Sequence, residues 1–324
     1  MNRPRIALLS NPKSTGNLAQ LPRIRAFCAE HPDIFHYEVE DADQIGEAMR
    51  TIARINPAVL AINGGDGTVQ AALTELHNGG HFGTATPPVA VLPSGKTNLI
   101  ALDLGARGDP VESLERLLVI ARADLAPFIV AREMISLSGG EGGITPVIGM
   151  FLGGAGLADV MLYCRERIYP LGLPNSVSHF ITAVAVVLRQ VFGLRASFLP
   201  PEPAQLSVSV RREGAITGRF AFMFVTTLEK LLLSGEVGSH GKGPLKFVAI
   251  EQKPGSLIGA FLASLVGRLG RTKMNGVHVE EADEIAIEGD SSRVILDGET
   301  FQTGVGKPIF LRPAQPLSFV RIAA

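Results

Sequence analysis

No stretch of this 324-residue chain is apolar for long enough to cross a bilayer. The longest runs, such as ITAVAVVL at 181–188, stop well short of the roughly 18 residues a spanning helix needs. Basic charge is not in excess either: 30 Lys and Arg stand against 31 Asp and Glu, for a formal net charge of -1. That argues against nucleic acid as the main partner and leaves an anionic ligand dependent on a local site. Cysteine is scarce. Cys28 and Cys164 lie far apart and match no metal-ligand or redox spacing, so both read as core thiols in a reduced, cytosolic compartment. Internal repeats and low-complexity tracts are absent. The opening MNRPRIALLSNPKS carries an apolar stretch too short for a signal peptide and reads as a first strand.

What is present is a chain with 46% hydrophobic and 19% charged residues, enough for two domains with their own cores. Its mean hydropathy of +0.25 is high for a soluble protein and leaves room for apolar surface offered to a lipid or a partner. In the first third, short apolar segments (Ile6 to Ser10, Phe35 to Val39, Ala58 to Ile62, Val89 to Leu92) alternate with helical patterns, as in a parallel sheet covered on both faces. Ile45, Ala48, Met49 and Ile52 keep the spacing of a one-sided helix, as do Val69, Ala72, Leu73 and Leu76. Gly79-Gly80 stops the second. Asp109-Pro110 opens a further helix to Ala121, as an N-cap with proline at the first helical position.

After about Pro127 the pattern changes to strands and turns: ITPVIGMFL, AQLSVSVRR, RFAFMFVTT, LKFVAIE, EIAIEG and SRVILDGETF. These predict a mainly antiparallel β domain. Two helices are expected within it. One spans Ser176 to Phe192. The other starts at Ser256, lines up Ile258, Phe261, Leu262, Leu265 and Leu269, and ends in Arg268, Arg271 and Lys273. Those cations complement a helix dipole or mark a helix leaning on a membrane interface. The expected division is therefore 1–127 as a nucleotide-binding α/β domain, with the tail 313–324 free to return to it, and 128–312 as a β-rich acceptor domain.

Three turns carry the candidate chemistry. AINGGDGT at 61–68 places glycines and Asp66 at a strand end, with Thr68 opening a helix, where open α/β sheets bind ligands. Glycines let backbone N–H groups approach phosphate, and a helix N-terminus favours an anion. Asp66 there either caps the helix or needs a cation between it and a phosphate. LPSGKTNLIALDLG contains SGKT, but a Walker A loop requires glycine at position 90, where Ala90 stands. Lys96 remains able to neutralise a phosphate, and Thr97 or Asn98 to cap the helix or hold a nucleotide. SNPKSTGN at 10–17 presents Ser14, Thr15 and Gly16 after the Asn11-Pro12 turn. Near the end, Asp-Gly in VILDGETF signals a type I′ hairpin.

AINGGDGT, with NPKSTG upstream and PSGKTN and VILDGETF downstream, resembles the diacylglycerol kinase catalytic-domain family, which includes bacterial lipid kinases and sphingosine kinases and is distantly related to NAD kinases. The resemblance implies a Rossmann-like three-layer α/β domain and a β-sandwich domain enclosing a cleft that holds ATP and Mg²⁺. It implies that Gly64, Gly65, Asp66, Gly67 and Thr68 contact ATP, with Asp66 near the metal. Asn11, Ser14, Thr15, Gly95, Thr97 and Asn98 would complete the nucleotide site. Glu299 would act as general base on the acceptor hydroxyl. The acceptor would be a diacylglycerol-like or sphingoid lipid at a membrane surface, met from the cytoplasm at the inner face, with a homodimer left open.

The chain departs from that family at two places. Lys96 stands where threonine is usual and Leu99 where aspartate is usual. An Asp-Asp-Gly element that binds a structural Mg²⁺ in many bacterial members is replaced by SHGKGPLKFVAIEQ, so a second metal is not expected. FLGGAGLADVML is like the family segment near the acceptor cleft, with Asp159 either facing that cleft or capping a helix. Two rival readings remain: a soluble kinase of the NAD kinase type, and a nucleotide-binding regulator without turnover.

Overall fold

The computed structural model describes residues 6–171, 181, 182, 185, 201–210, 214–229, 240, 241, 243–265, 269, 270 and 273–322. Its first part alternates β1 (Ile6–Ser10), α1 (Asn17–Glu30), β2 (Ile34–Glu38), α2 (Ile45–Ile55), β3 (Val59–Asn63), α3 (Asp66–Asn78) and β4 (Val89–Val91), followed by α4 (Leu99–Asp103) and α5 (Pro110–Arg122). β1 pairs in parallel with both β2 and β3, and β3 with β4. Every residue of β1, β3 and β4 is buried, as expected of parallel strands covered by helices on both faces. The predicted helix faces hold: Ile45, Ala48, Met49 and Ile52 are buried on α2, and Val69, Ala72, Leu73 and Leu76 on α3. Asp109 caps α5 by accepting the Val111 N–H at 2.7 Å.

The second part is mostly antiparallel. It comprises β5 (Ile129–Gly139), β6 (Val147–Gly149), β7 (Phe151–Gly154), α6 (Gly156–Tyr163), β8 (Gln205–Val210), β9 (Gly214–Thr226), β10 (His240–Gly241), β11 (Leu245–Glu251), α7 (Pro254–Leu265), β12 (Val277–Ala282), β13 (Ile285–Glu288), β14 (Arg293–Leu296), β15 (Glu299–Gln302) and β16 (Ile309–Val320). β9 belongs to two strand sets. Its first half pairs with β8, and its second half with β7 and β11. A core of Ile135, Leu152, Phe220, Phe247, Ile287 and Leu296 fills the space between them. β16 runs antiparallel to β5, shifts register between Ala314 and Leu317, and then pairs Phe319 in parallel with Val89 of β4. Pro313 and Pro316, which lack ladder donors, flank that shift.

Several local expectations are corrected. ITPVIGMFL is two strands broken at Met150, because the Met150 and Phe151 N–H groups are both taken by the Asp297 carboxylate. On α7 the row Ile258, Phe261 and Leu262, whose facing the spacing left open, lies on the outer side. Small residues Ser256, Ala260 and Ala263 take the buried side of α7 and leave the large ones exposed. The helix predicted near Ser176 to Phe192 lies outside the described residues, save Ile181, Thr182 and Ala185, as do Arg268 and Arg271.

Candidate active site at three converging loops

The loops after β1, β3 and β4 meet through buried polar side chains. Asn17 at the start of α1 donates to the carbonyls of Asn11 at 2.8 Å and Asn63 at 2.9 Å. Asn63 donates to Ser10 Oγ at 2.9 Å and accepts from Ser94 Oγ. Ser14 Oγ donates to the Ser94 carbonyl at 3.2 Å. Ser10, Asn17 and Asn63 are fully buried and Ser94 nearly so. These bonds hold the three turns in one register, while Asn17 Oδ1 is buried without a hydrogen-bond partner. None of these four stands out by sequence pattern. Isolated Ser and Asn at strand ends look like ordinary turn residues.

Glycine is required where the loops touch. A Cβ on Gly16 would collide with the Ser94 carbonyl, and one on Gly95 would lie 3.2 Å from Gly65 Cα. A Cβ on Gly64 would lie 2.6 Å from Thr68 Cβ. Thr68 is buried and accepts a hydrogen bond from Asn11 Nδ2 at 3.0 Å. Ser14 Oγ is 3.3 Å from the position of a Gly65 Cβ. Gly64, Gly65, Thr68, Asn11, Ser14 and Gly95 are thus brought together; Thr15 is exposed and Thr97 half-buried beside them.

Two local readings change. Asp66, not Thr68, is the first residue of α3, and Gly65 occupies the N-cap position with no side-chain cap. Asp66 therefore does not cap the helix. Asn98 precedes α4 with φ 55° but makes no cap bond. Its amide instead closes its own loop, accepting the Gly95 N–H at 2.6 Å and donating to the Gly95 carbonyl at 2.8 Å.

The second half of the chain reaches these loops through the β14–β15 hairpin. Asp297 and Gly298 both have positive φ, 42° and 92°, as a type I′ turn requires. Asp297 is buried and accepts Met150 N–H at 2.7 Å and Phe151 N–H at 3.0 Å. Burial, and secondarily the charge of Asp66, push its carboxyl up to about 7 against the opposing pull of those two hydrogen bonds. A Cβ on Gly298 would lie 3.5 Å from Asp66 Cβ, and one on Gly67 would collide with Glu299 Oε1. Glu299 therefore stands against the head of α3, and it is exposed.

Burial pushes the Asp66 carboxyl up to about 6. A half-buried carboxylate at a helix N-terminus fits a cation brought by a ligand. Among the described residues there is no cluster of three His, Cys, Asp or Glu side chains that would hold a metal by itself. Mg²⁺ is commonly held by one or two carboxylates plus substrate phosphates, and Asp66 at a glycine cradle matches that donor set.

The segment after α6 adds residues that sequence reading missed. Lys96 Nζ lies 3.7 Å from the centroid of the Tyr169 ring, a cation–π distance. The Tyr169 phenol is pushed up to about 12 by burial first, then by Cys164, with Asp66 contributing. Arg165 donates to the Gly298 carbonyl at 3.2 Å. Asp159 accepts from Arg293 at 3.2 Å and does not cap α6. A cavity of 360 Å³ borders Gly16 and Ser94 and extends to Asp109 and Pro110. Asp66 and Glu299 do not line it.

Comparison with known proteins agrees with this geometry. The chain matches the family model for the diacylglycerol kinase catalytic domain over residues 5–128. No curated protein sequence matches it. Among solved structures, one described as a diacylglycerol kinase from Bacillus anthracis str. Sterne is 15% identical, covers 99% of this chain and 98% of its own, and has a TM-score of 0.62. Another from that organism, provisionally described in the same way, is 16% identical at the same coverage with a TM-score of 0.65. At such identity the likeness establishes the fold alone. The three interlocked glycine loops on the parallel sheet lie within residues 5–128, the stretch that matches the family model for the diacylglycerol kinase catalytic domain.

Proposed function

We propose that this protein is an ATP-dependent lipid kinase that transfers the γ-phosphate to a hydroxyl of a diacylglycerol-like or sphingoid lipid. The observation that carries the reading is the approach of Glu299 to Gly67, which sets a carboxylate against the α3 terminus where three glycine loops converge. Phosphoryl transfer asks a protein mainly for positioning and charge neutralisation.

The chain's own residues supply those parts. Gly64, Gly65 and Gly67 leave backbone N–H groups open to phosphate oxygens at a helix N-terminus. Asn11, Ser14, Thr15, Thr68, Gly95, Thr97 and Asn98 complete the nucleotide site, and Asp66 is the carboxylate that would hold Mg²⁺. When bound, that ion neutralises charge on the phosphate oxygens. Glu299 accepts the proton of the acceptor hydroxyl as the hydroxyl oxygen bonds to the γ-phosphorus and the bond from that phosphorus to the β,γ-bridging oxygen breaks, releasing ADP. We assign 1–127 with the returning tail to nucleotide binding and 128–312 to the acceptor.

The test is transfer from γ-labelled ATP in the presence of a total bacterial lipid extract, with NAD as a parallel acceptor. Label is expected in the organic phase. Glu299→Gln is expected to lower turnover about 100-fold or more while ATP binding, measured by calorimetry, persists. Label on NAD alone, or ATP binding without transfer in either protein, overturns the reading.

A further inference from the structure

We infer that the outward face of α7 is the surface by which this protein sits on an anionic lipid bilayer. The inference deepens the proposed function, since a lipid kinase has to meet an acceptor held in a membrane.

α7 reads PGSLIGAFLASL and, unlike α1 to α6, contains no charged residue. A helix without charge is normally buried all round. Here only one side is covered. Ala260 and Ala263 pack in a small cluster with Leu269, Ile250, Met274 and Val277, and Ser256 Oγ donates to the Asn275 carbonyl at 3.0 Å. The opposite side carries Ile258, Phe261 and Leu262, which are 51%, 64% and 56% exposed. Positions i, i+3 and i+4 form one stripe. The other exposed large hydrophobics among the described residues, such as Leu18, Val119 and Val305, sit on separate elements. Large side chains outside and alanines inside reverse the usual arrangement of a surface helix.

Charge indicates what covers the stripe. Between Gln252 and Val279 the sequence carries Lys253, Arg268, Arg271 and Lys273 and no acidic residue. Lys253 and Lys273 are exposed at either end of the helix region, although Lys253 also pairs with Glu251. An apolar stripe with an exposed lysine at each end of the helix region, in a stretch of sequence without acidic residues, matches a bilayer surface with anionic headgroups. At 12 residues, or about 18 Å, α7 is too short to span a membrane and would lie in the interface plane.

The experiment is flotation of the full-length protein with vesicles of phosphatidylcholine alone and of phosphatidylcholine with one part in about three phosphatidylglycerol. Wild type is expected to float with the anionic vesicles. The triple variant Ile258→Gln, Phe261→Gln, Leu262→Gln is expected to lose at least about tenfold in partitioning, with an unchanged circular dichroism spectrum and melting temperature because the replaced side chains are exposed. Lys253→Glu with Lys273→Glu is expected to weaken binding to the anionic vesicles only. Equal flotation of wild type and triple variant overturns the inference. So does a wild-type dimer in sedimentation equilibrium that the triple variant lacks, which would make the face a contact between copies. Phosphate transfer to a detergent-dispersed lipid extract is measured in parallel. Transfer with flotation indifferent to α7 sinks this inference alone, whereas α7-dependent flotation without transfer leaves it standing and sinks the kinase reading.

Discussion

Asp66 illustrates what one residue costs at the site. Its carboxyl rises from an ordinary 3.8 to about 6 through burial. Between those values the unfolded chain has lost the proton and the folded chain keeps it, so stability falls as pH rises through that window. Above about pH 6 both states are ionised and the full cost of holding the charge remains. Asp66→Asn, without nucleotide or metal, is therefore expected to be more stable than wild type at pH 7.5 by on the order of 1–2 kcal/mol, since partial exposure screens the effect. Below about pH 4 the two should coincide. Denaturant melts at both pH values check this. A glycine turn with an aspartate was visible in AINGGDGT, but whether Asp66 capped the helix was not. That depended on Gly65 taking the N-cap position, a matter of one residue in helix start that spacing does not resolve.

At the scale of elements, the β14–β15 hairpin shows how a turn can be read two ways and be both. Asp-Gly between apolar strands predicted a tight turn, and its φ values agree. The same Asp297 also joins the hairpin to the start of β7 by accepting two backbone N–H groups. Asn tolerates the turn conformation but offers one acceptor oxygen and turns an N–H toward the other donor. Asp297→Asn is thus expected to cost about 1–3 kcal/mol in a urea melt at pH 5, the range for stranding a buried hydrogen-bonding group, because below the raised value of about 7 no buried charge is relieved by the change. α7 went the other way. Its apolar row had helical spacing, yet spacing does not say which face meets the sheet. Ser256, Ala260 and Ala263 take the buried side, and Ile258, Phe261 and Leu262 are exposed.

At the scale of the whole molecule, long-range pairs join the halves. Arg132 on β5 is buried and donates to Asp103 of α4 at 3.1 Å and to Glu229 beyond β9 at 2.9 Å. The Glu229 N–H donates back to Asp103 at 3.1 Å. Removing one member of a buried pair leaves a charge without compensation. Arg132→Ala should cost about 3–5 kcal/mol, measured as a lower denaturation midpoint, and Arg132→Lys less. β16 adds a second join where Phe319 pairs with Val89, carrying the C-terminal strand back to the parallel sheet.

The amino-acid sequence alone determined the parallel strands, the faces of α2 and α3, the cap of α5 and the hairpin at Asp297-Gly298, because each depends on neighbours within a few residues. Only the tertiary structure decided that Ser10, Asn17, Asn63 and Ser94 interlock, that Lys96 rests on Tyr169, and that Glu299 meets Gly67. Those partners lie far apart along the chain, and their meeting depends on sheet order and on where buried polar groups find hydrogen bonds, neither of which local periodicity encodes.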